Sequence, residues 1–490
     1  MADQMAAPFM APWGGPAIAP AIDRLAREGV VFDATYSNSP LCAPARFAMM
    51  AGQHNSKIAA YDNASEFTST TPTFAHYLRA AGYQTSLVGK MHFVGPDQLH
   101  GYEERLTTDI YPADFGWTPN WLDPDGRFDW WYHNLDSVVH AGVADATNQL
   151  DYDDEVGFRT IRKLRDLART SDERPFMVTA SFTHPHDPYV ARQHFWDLYD
   201  DVEIPMPTTG TLDDADNDPH SRRLRKVIGA DMTDVTEAQI RAARRAYLAN
   251  CSYVDDWVGQ IVDAIHHHGL ADDTAIIFTS DHGDMLGERG LWYKMNFFEH
   301  SARVPLIVHA PSRFDPRRVT TLSSLLDVAP TMLELAGVDR PDGLDGHSLV
   351  PQLAGNEDPE RTVAGEYLGE GAVAPIFMLR RGDLKFVCSE PDGEQLYDLA
   401  SDPHELANLA ADPTYLVAVE AFRNEVLERW NADQILSDVL ESQSNRRVVD
   451  GALRKGRYSA WDFEPTSGAT EQYMRNHLDL NEVESGRRSR

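Results

Sequence analysis

The sequence predicts an α/β fold: a large sheet sandwiched by helices, a smaller C-terminal antiparallel-sheet domain, and an extended tail. Three features predict it. Short apolar, β-rich runs recur along the first 345 residues, helical patterns separate them, and from about residue 346 hairpin and turn signals take over. The 490 residues divide accordingly into 1–345, 346–440 and a tail, 441–490. That length accommodates one large domain and a smaller one, and a hydrophobic content of 42% is ordinary for a folded chain.

Taken in order, "YQTSLVG" (83–89) is the first clear strand and runs into Lys90 and His92. "PFMVTASF" (175–182) runs into His184, and "TAIIFTS" (274–280) into Asp281 and His282. "VPLIVHA" (304–310) is a fourth. With helices between them, such runs predict a parallel sheet. "TPTFAHYLRAAG" (71–82) is helical, with Pro72 near its start and Gly82 at its end; 236–269 and 325–337 are further helices. The histidines at 266–268 read as an exposed helix end. "IFMLRRGDLKFVC" (376–388) is a hairpin turning at Arg381-Gly382-Asp383, and "EQLYDLASDPHELANLA" (394–410) is a strand, a turn and a helix start, with a helix to about Trp430. Sites in open α/β sheets gather beyond the carboxyl ends of strands. Three of these strands deliver Lys, His and Asp there.

The net charge of −32 argues against nucleic acid and anionic membranes as partners and suits either solubility at high salt or a cationic ligand. The sequence has no apolar run of about 18 residues, so no membrane span is expected. Its start lacks the basic and apolar regions of a signal peptide. Three widely spaced cysteines form no disulfide framework, which fits a cytoplasmic setting. Only seven of the 44 basic side chains are lysines, which draws notice to Lys90 and Lys294 in polar motifs.

Cys42 lies in "SPLCAPAR" (39–46), a stiff and polar setting. A cysteine phosphatase needs five residues between Cys and Arg, and here three intervene. A thiol nucleophile needs a histidine base, for which His54 and His92 are candidates, but no local signature supports it. The third reading is a precursor: Cys-x-Pro-x-Arg signals oxidation of the cysteine to formylglycine.

With "GKMHFVG" (89–95), "THPHDPY" (183–189), "TSDHGDMLGERGLWYK" (279–294) and "LYDLASDPHELANL" (396–409), the chain resembles the sulfatases of the alkaline phosphatase superfamily. "AYDNASEF", the stretch from Gly89 to Trp117, and "QYMRNHLDL" resemble choline sulfatases in particular. The resemblance implies an alkaline-phosphatase-like mixed sheet and a sulfuric ester hydrolase. Residue 42 would be a hydrated aldehyde: one hydroxyl attacks sulfur, and deprotonation of the other expels sulfate. A maturation enzyme must make it.

The same resemblance assigns Asp3, residue 42, Asp281 and His282 to a divalent cation, Ca²⁺ by expectation. Gln4 stands where many sulfatases have a second aspartate. Arg46 would orient the hydrate, Lys90 and Lys294 would hold sulfate oxygens, and Asn63 would hydrogen-bond one. His184 is the expected general acid, and His92 the acceptor of the hydrate's proton. For a trimethylammonium head, Trp117, His133 and Glu370 form the expected cage, since aromatic faces and a carboxylate recognise a cation without N–H groups. Trp130 and Trp131 read as core. Tyr473, in a tail that packs on a neighbouring subunit of a dimer or tetramer, would join the cage in trans.

The resemblance also places a buried strand before the first metal aspartate. Asp3 has two residues before it, so the sequence predicts a poorly anchored Asp3 and weak metal binding. The resulting expectation is hydrolysis of choline-O-sulfate. Alternatives are a phosphonate monoester or phosphodiester hydrolase of the same superfamily, and an inactive homologue that binds quaternary ammonium compounds.

Overall fold

The computed structural model describes residues 1–124, 133–170, 172–213, 217–465 and 473–474. All four predicted runs are strands: Gln84–Gly89, Phe176–Ser181, Ile276–Thr279 and Leu306–His309. The first two pair in parallel, with Glu104–Arg105 on the outer side of Gln84–Gly89. Leu306–His309 instead runs antiparallel to Ile276–Thr279 and to Val30–Phe32, which pairs in parallel with Arg317–Val319. The sheet is therefore mixed. No long crossover helix separates residues 279 and 306, so the chain returns in the opposite sense.

Residues 1–3 join the two halves. The Ala2 amide donates to the Thr279 carbonyl at 2.9 Å, Phe182 donates to the Met1 carbonyl at 2.9 Å, and Asp3 donates to the His184 carbonyl at 3.4 Å. Ala2 and Asp3 bridge in parallel to Ser280 and Pro185. These residues form a strand stub between Ile276–Thr279 and Phe176–Ser181. Asp3 is fully buried, so the expectation of a poorly anchored Asp3 does not hold.

The predicted helices appear as Phe74–Ala80, Glu237–His267 and Val328–Leu335. Thr73 and Thr236 begin the first two with capping boxes. His266 and His267 are exposed at the end of the long helix. The C-terminal sheet is antiparallel, in the order Thr362–Tyr367, Ile376–Arg381, Leu384–Ser389, Gly393–Asp398. Gly382 turns the predicted hairpin with a left-handed φ of 54°. The helix Leu416–Arg429 covers this sheet, stacking Phe422 on Phe386; residues 402–410 are turns rather than a helix start. Buried Lys385 ties this sheet to the larger one through the Phe297 carbonyl at 2.8 Å and Glu299 at 2.9 Å. A last helix, Ala432–Leu453, runs back toward the carboxyl ends of the main strands. No helix among the described residues is long and apolar enough to cross a membrane.

Candidate active site

Cys42 opens the helix Cys42–Ala51 and is buried. Its Sγ lies 3.2 Å from His282 Nε2 and 3.9 Å from Asp3 Oδ1. Asp3, Cys42, Asp281 and His282 all offer ligand atoms within 4.8 Å of one another. His282 Nδ1 is 3.0 Å from the Gly283 carbonyl, which can only accept, so Nδ1 carries the proton and Nε2 presents its lone pair. Two carboxylates and an oriented imidazole fit a divalent cation. Burial pushes the Cys42 thiol pKa up, and Asp3 pushes it further, so an unmodified thiol is a poor nucleophile here.

Arg46 is fully buried behind this cluster. Nε donates to Asp281 at 2.8 Å and Nη2 to Asp3 at 3.0 Å, while Nη1 donates to the Lys90 carbonyl at 2.6 Å and Ser181 Oγ at 2.9 Å. One guanidinium thus fixes the ends of three strands. Lys90 forms an ion pair with Asp3 and lies 4.2 Å over the Tyr111 ring. Burial opposes the charge on Asp3, yet Lys90, His186, Arg46 and His282 hold its carboxyl well below the usual range. Lys294 reaches Gln4 Oε1 at 2.5 Å and His186 Nε2 at 2.8 Å. The Gln4 amide nitrogen donates to Asp284 at 2.6 Å, which turns its carbonyl oxygen toward Lys294. Arg46, Lys90 and Lys294 gather around Asp3 and Asp281, and three convergent cations suit an anion.

The two histidines of "THPHDPY" part company. His184 Nδ1 sits 2.7 Å from Asp153 Oδ2, and its ring packs edge-on against Tyr253. Its ring makes no described contact with Cys42, Lys90 or Lys294. His186 enters the centre instead, through Lys294. Asp153, on the helix Asn148–Arg169, holds the first imidazole, and the second is the one that meets Lys294. Burial and then Lys294 drive His186 well below its ordinary pKa. His92 is buried, with neither ring nitrogen bonded among the described residues. Burial and then Lys90 lower its pKa to about 3. His54 packs edge-on against Trp430, away from the cluster.

On the outer side, Trp117 meets His92 at 5.6 Å and Tyr111 at 5.1 Å, centroid to centroid. His133 lies 5.2 Å from the His186 ring and 4.8 Å from Tyr293, with Nδ1 3.4 Å from Asp187. Asn63 uses Oδ1 to accept from the Ala43 amide at 3.0 Å, which fixes the turn beside Cys42. Glu370 is buried, and its Oε1 finds no hydrogen-bond donor among the described residues. Burial, then the charge of Asp62, raises its pKa to about 8; Cys42 and Lys294 also act on it, so it faces the same centre. Tyr473 is exposed, with Arg162 4.5 Å over its ring, and stands outside this chain's own cage. Trp130 and Trp131 lie outside the described residues. Sequence reasoning missed His186, Asp187 and Tyr111; "THPHDPY" and the stretch ending at Trp117 contained them but offered no means of ranking them.

Comparison with known proteins agrees with this geometry. A family model described as "Sulfatase" matches residues 1–338. One described as "N-sulphoglucosamine sulphohydrolase, C-terminal" matches 287–432, and one described as "Choline sulfatase enzyme C terminal" matches 437–490. The chain belongs to the sulfatase family and is a sulfuric ester hydrolase. Within that family it is 52% identical to the choline-sulfatase of Rhizobium meliloti (strain 1021), over 96% of this chain and 93% of that one. It is 28% identical to arylsulfatase K of Xenopus laevis, over 80% and 74% of the two chains. The fold is that of the phosphonate monoester hydrolase of Agrobacterium radiobacter, with a TM-score of 0.71 at 24% identity over 87% and 94%. That likeness confirms the alkaline-phosphatase-like architecture and concerns fold alone.

Proposed function

We propose that the protein hydrolyses choline-O-sulfate to choline and sulfate. The observation that carries the reading is Glu370: a buried carboxyl with an unbonded oxygen beside the centre, whose pKa of about 8 keeps it mostly protonated until a cation meets it. Such a group is costly unless a cation meets it. Trp117 and His133 add aromatic faces on that side. The 52% identity to a choline-sulfatase supports the same head group.

Asp3, Asp281 and His282, with residue 42, would hold a divalent cation, Ca²⁺ by our reading; when bound it neutralises charge on the sulfate oxygens. Residue 42, oxidised by a maturation enzyme to formylglycine and hydrated, supplies the nucleophilic hydroxyl. Arg46 keeps the two carboxylates in place. Lys90 and Lys294 bind sulfate oxygens as point charges. Choline is a poor leaving group, so its oxygen must be protonated as the bond to sulfur breaks. The proton comes from the Lys294 ammonium by way of His186 Nε2, and Lys294 regains it from water once choline has left. Unbonded and neutral, His92 accepts a proton when sulfate is expelled. We place the reaction in the cytoplasm of the host, in a homo-oligomer.

The test pairs peptide mass spectrometry of residue 42 with sulfate release from choline-O-sulfate. Formylglycine at 42 together with sulfate release is expected, and an intact thiol with full turnover would overturn the mechanism. Unchanged activity in both Trp117→Ala and Glu370→Ala would overturn the choline assignment.

A further inference from the structure

The helix Ala432–Leu453 makes no hydrogen bond to Cys42, Lys90 or Lys294 among the described residues, yet three loops of the site are tied to it. Arg446 is buried and makes a bidentate ion pair with Asp62, both bonds at 2.6 Å. Asp62 precedes Asn63, the residue that fixes the turn beside Cys42. Arg446 also donates to Thr118 Oγ1 at 3.3 Å, next to Trp117. One turn back, Gln443 Oε1 accepts from the Trp121 amide at 3.0 Å, and the Trp121 indole donates to the Gly369 carbonyl at 2.9 Å, next to Glu370. Asn63, Trp117 and Glu370 come from distant parts of the chain, and each is anchored by its neighbour to one helix.

The pair matters electrostatically as well. Asp62 is fully buried and its charge acts on Glu370. Left unpaired, it would compete with Glu370 and push that carboxyl toward its neutral form. A forked, planar guanidinium bound through two oxygens sets position as well as charge, which an ammonium cannot do equally well.

We propose that Arg446 is a specificity-determining positioning residue: through Asp62, which adjoins Asn63 and acts on Glu370, and through Thr118 beside Trp117, it shapes the pocket for the cationic head without touching the sulfate. The proposal rests on the choline reading above.

The experiment uses the full-length, matured protein. It compares kcat and KM for choline-O-sulfate and for 4-nitrophenyl sulfate, which has no cationic head, in wild type, Arg446→Met, Arg446→Lys and Asp62→Asn/Arg446→Met. In Arg446→Met, kcat/KM for choline-O-sulfate should fall about tenfold or more, chiefly through KM, while that for 4-nitrophenyl sulfate changes less than about threefold. Arg446→Lys should lose part of this, and the double variant, which removes the stranded carboxylate, should regain part. Equal losses on both substrates, or no loss on either, would overturn the proposal. If Arg446→Met fails to fold, Arg446→Lys and the double variant decide by the same ratio. A wild type with no preference for choline-O-sulfate would instead sink the reading of the head group.

Discussion

The imidazole of His184 rests on the carboxylate of Asp153, Nδ1 to Oδ2 at 2.7 Å, and the same carboxylate accepts the amides of Thr183 and His184 at 2.7 and 2.8 Å. This buried clamp holds the carbonyl of His184 where the Asp3 amide reaches it. His184 therefore shapes the cation site through the backbone, and His186 alone of the two faces Lys294. His186→Ala is expected to lower kcat for choline-O-sulfate by about 10²–10⁴ and to spare 4-nitrophenyl sulfate, whose leaving group needs no acid. His184→Asn should lower thermal stability and cation affinity while keeping the leaving-group dependence of wild type. Kinetics on the two esters checks both, and loss of the leaving-group contrast in His184→Asn rather than His186→Ala would reverse the assignment.

That pair also marks the boundary of what the sequence revealed. The four strands were legible because each is a short β-rich run with an apolar core, and Asp281, His282 and Lys90 because they follow such runs closely. The stub at Ala2–Asp3 is too short to have a period, so its anchoring rests on partners almost 180 and 280 residues away. His184 and His186 are alike in type and context, and only the tertiary partner Asp153 separates them. Glu370 and Trp117 emerged from resemblance alone, since nothing local distinguishes a pocket carboxylate from a surface one. Arg446 gave no sequence signal: a lone arginine in a polar helix shows nothing of the carboxylate it meets.

Cation binding is expected to stabilise the folded chain, because Asp3 and Asp281, far apart in the sequence, come together only in the native state. Adding Ca²⁺ to chelator-treated protein should raise Tm and restore turnover. Asp281→Asn should abolish the rise. Asp3→Asn should do so and also lower the baseline Tm, since it removes a partner from buried Lys90 and Arg46, a change that costs about 3–5 kcal/mol in comparable pairs. Differential scanning fluorimetry across a Ca²⁺ titration makes the measurement; an Asp281→Asn protein that responds like wild type would remove Asp281 from the ligand set.

Arg46 makes four hydrogen bonds to oxygen with no exposure, two of them to the carboxylates of Asp3 and Asp281. A lysine keeps the charge but cannot serve both carboxylates and the Ser181 hydroxyl at once. Arg46→Lys is therefore expected to fold with a lowered Tm and to lose kcat on both esters alike, because it disturbs the sulfate end rather than the leaving-group end. An ester-dependent loss would place Arg46 nearer the leaving oxygen than the geometry allows.

Glu366 offers a test of stability against pH at a site remote from the cation ligands. Its Oε1 accepts the Ser56 amide at 2.6 Å in a fully buried setting. Burial raises its pKa from 4.5 to about 7, against the opposing pull of the Ser56 hydrogen bonds. Between those values the folded chain holds a proton that the unfolded chain has lost, so this group's contribution to stability falls as pH rises from about 4.5 to about 7 and is constant above. The full swing is about 3 kcal/mol, from about 2.5 pKa units at 1.36 kcal/mol each. Glu366→Gln keeps an acceptor for Ser56 and removes the titration. Relative to wild type, the variant should therefore gain Tm between about pH 4.5 and about pH 7 and hold a constant difference above. Parallel Tm profiles for the two proteins would mean that Glu366 titrates as an ordinary carboxylate.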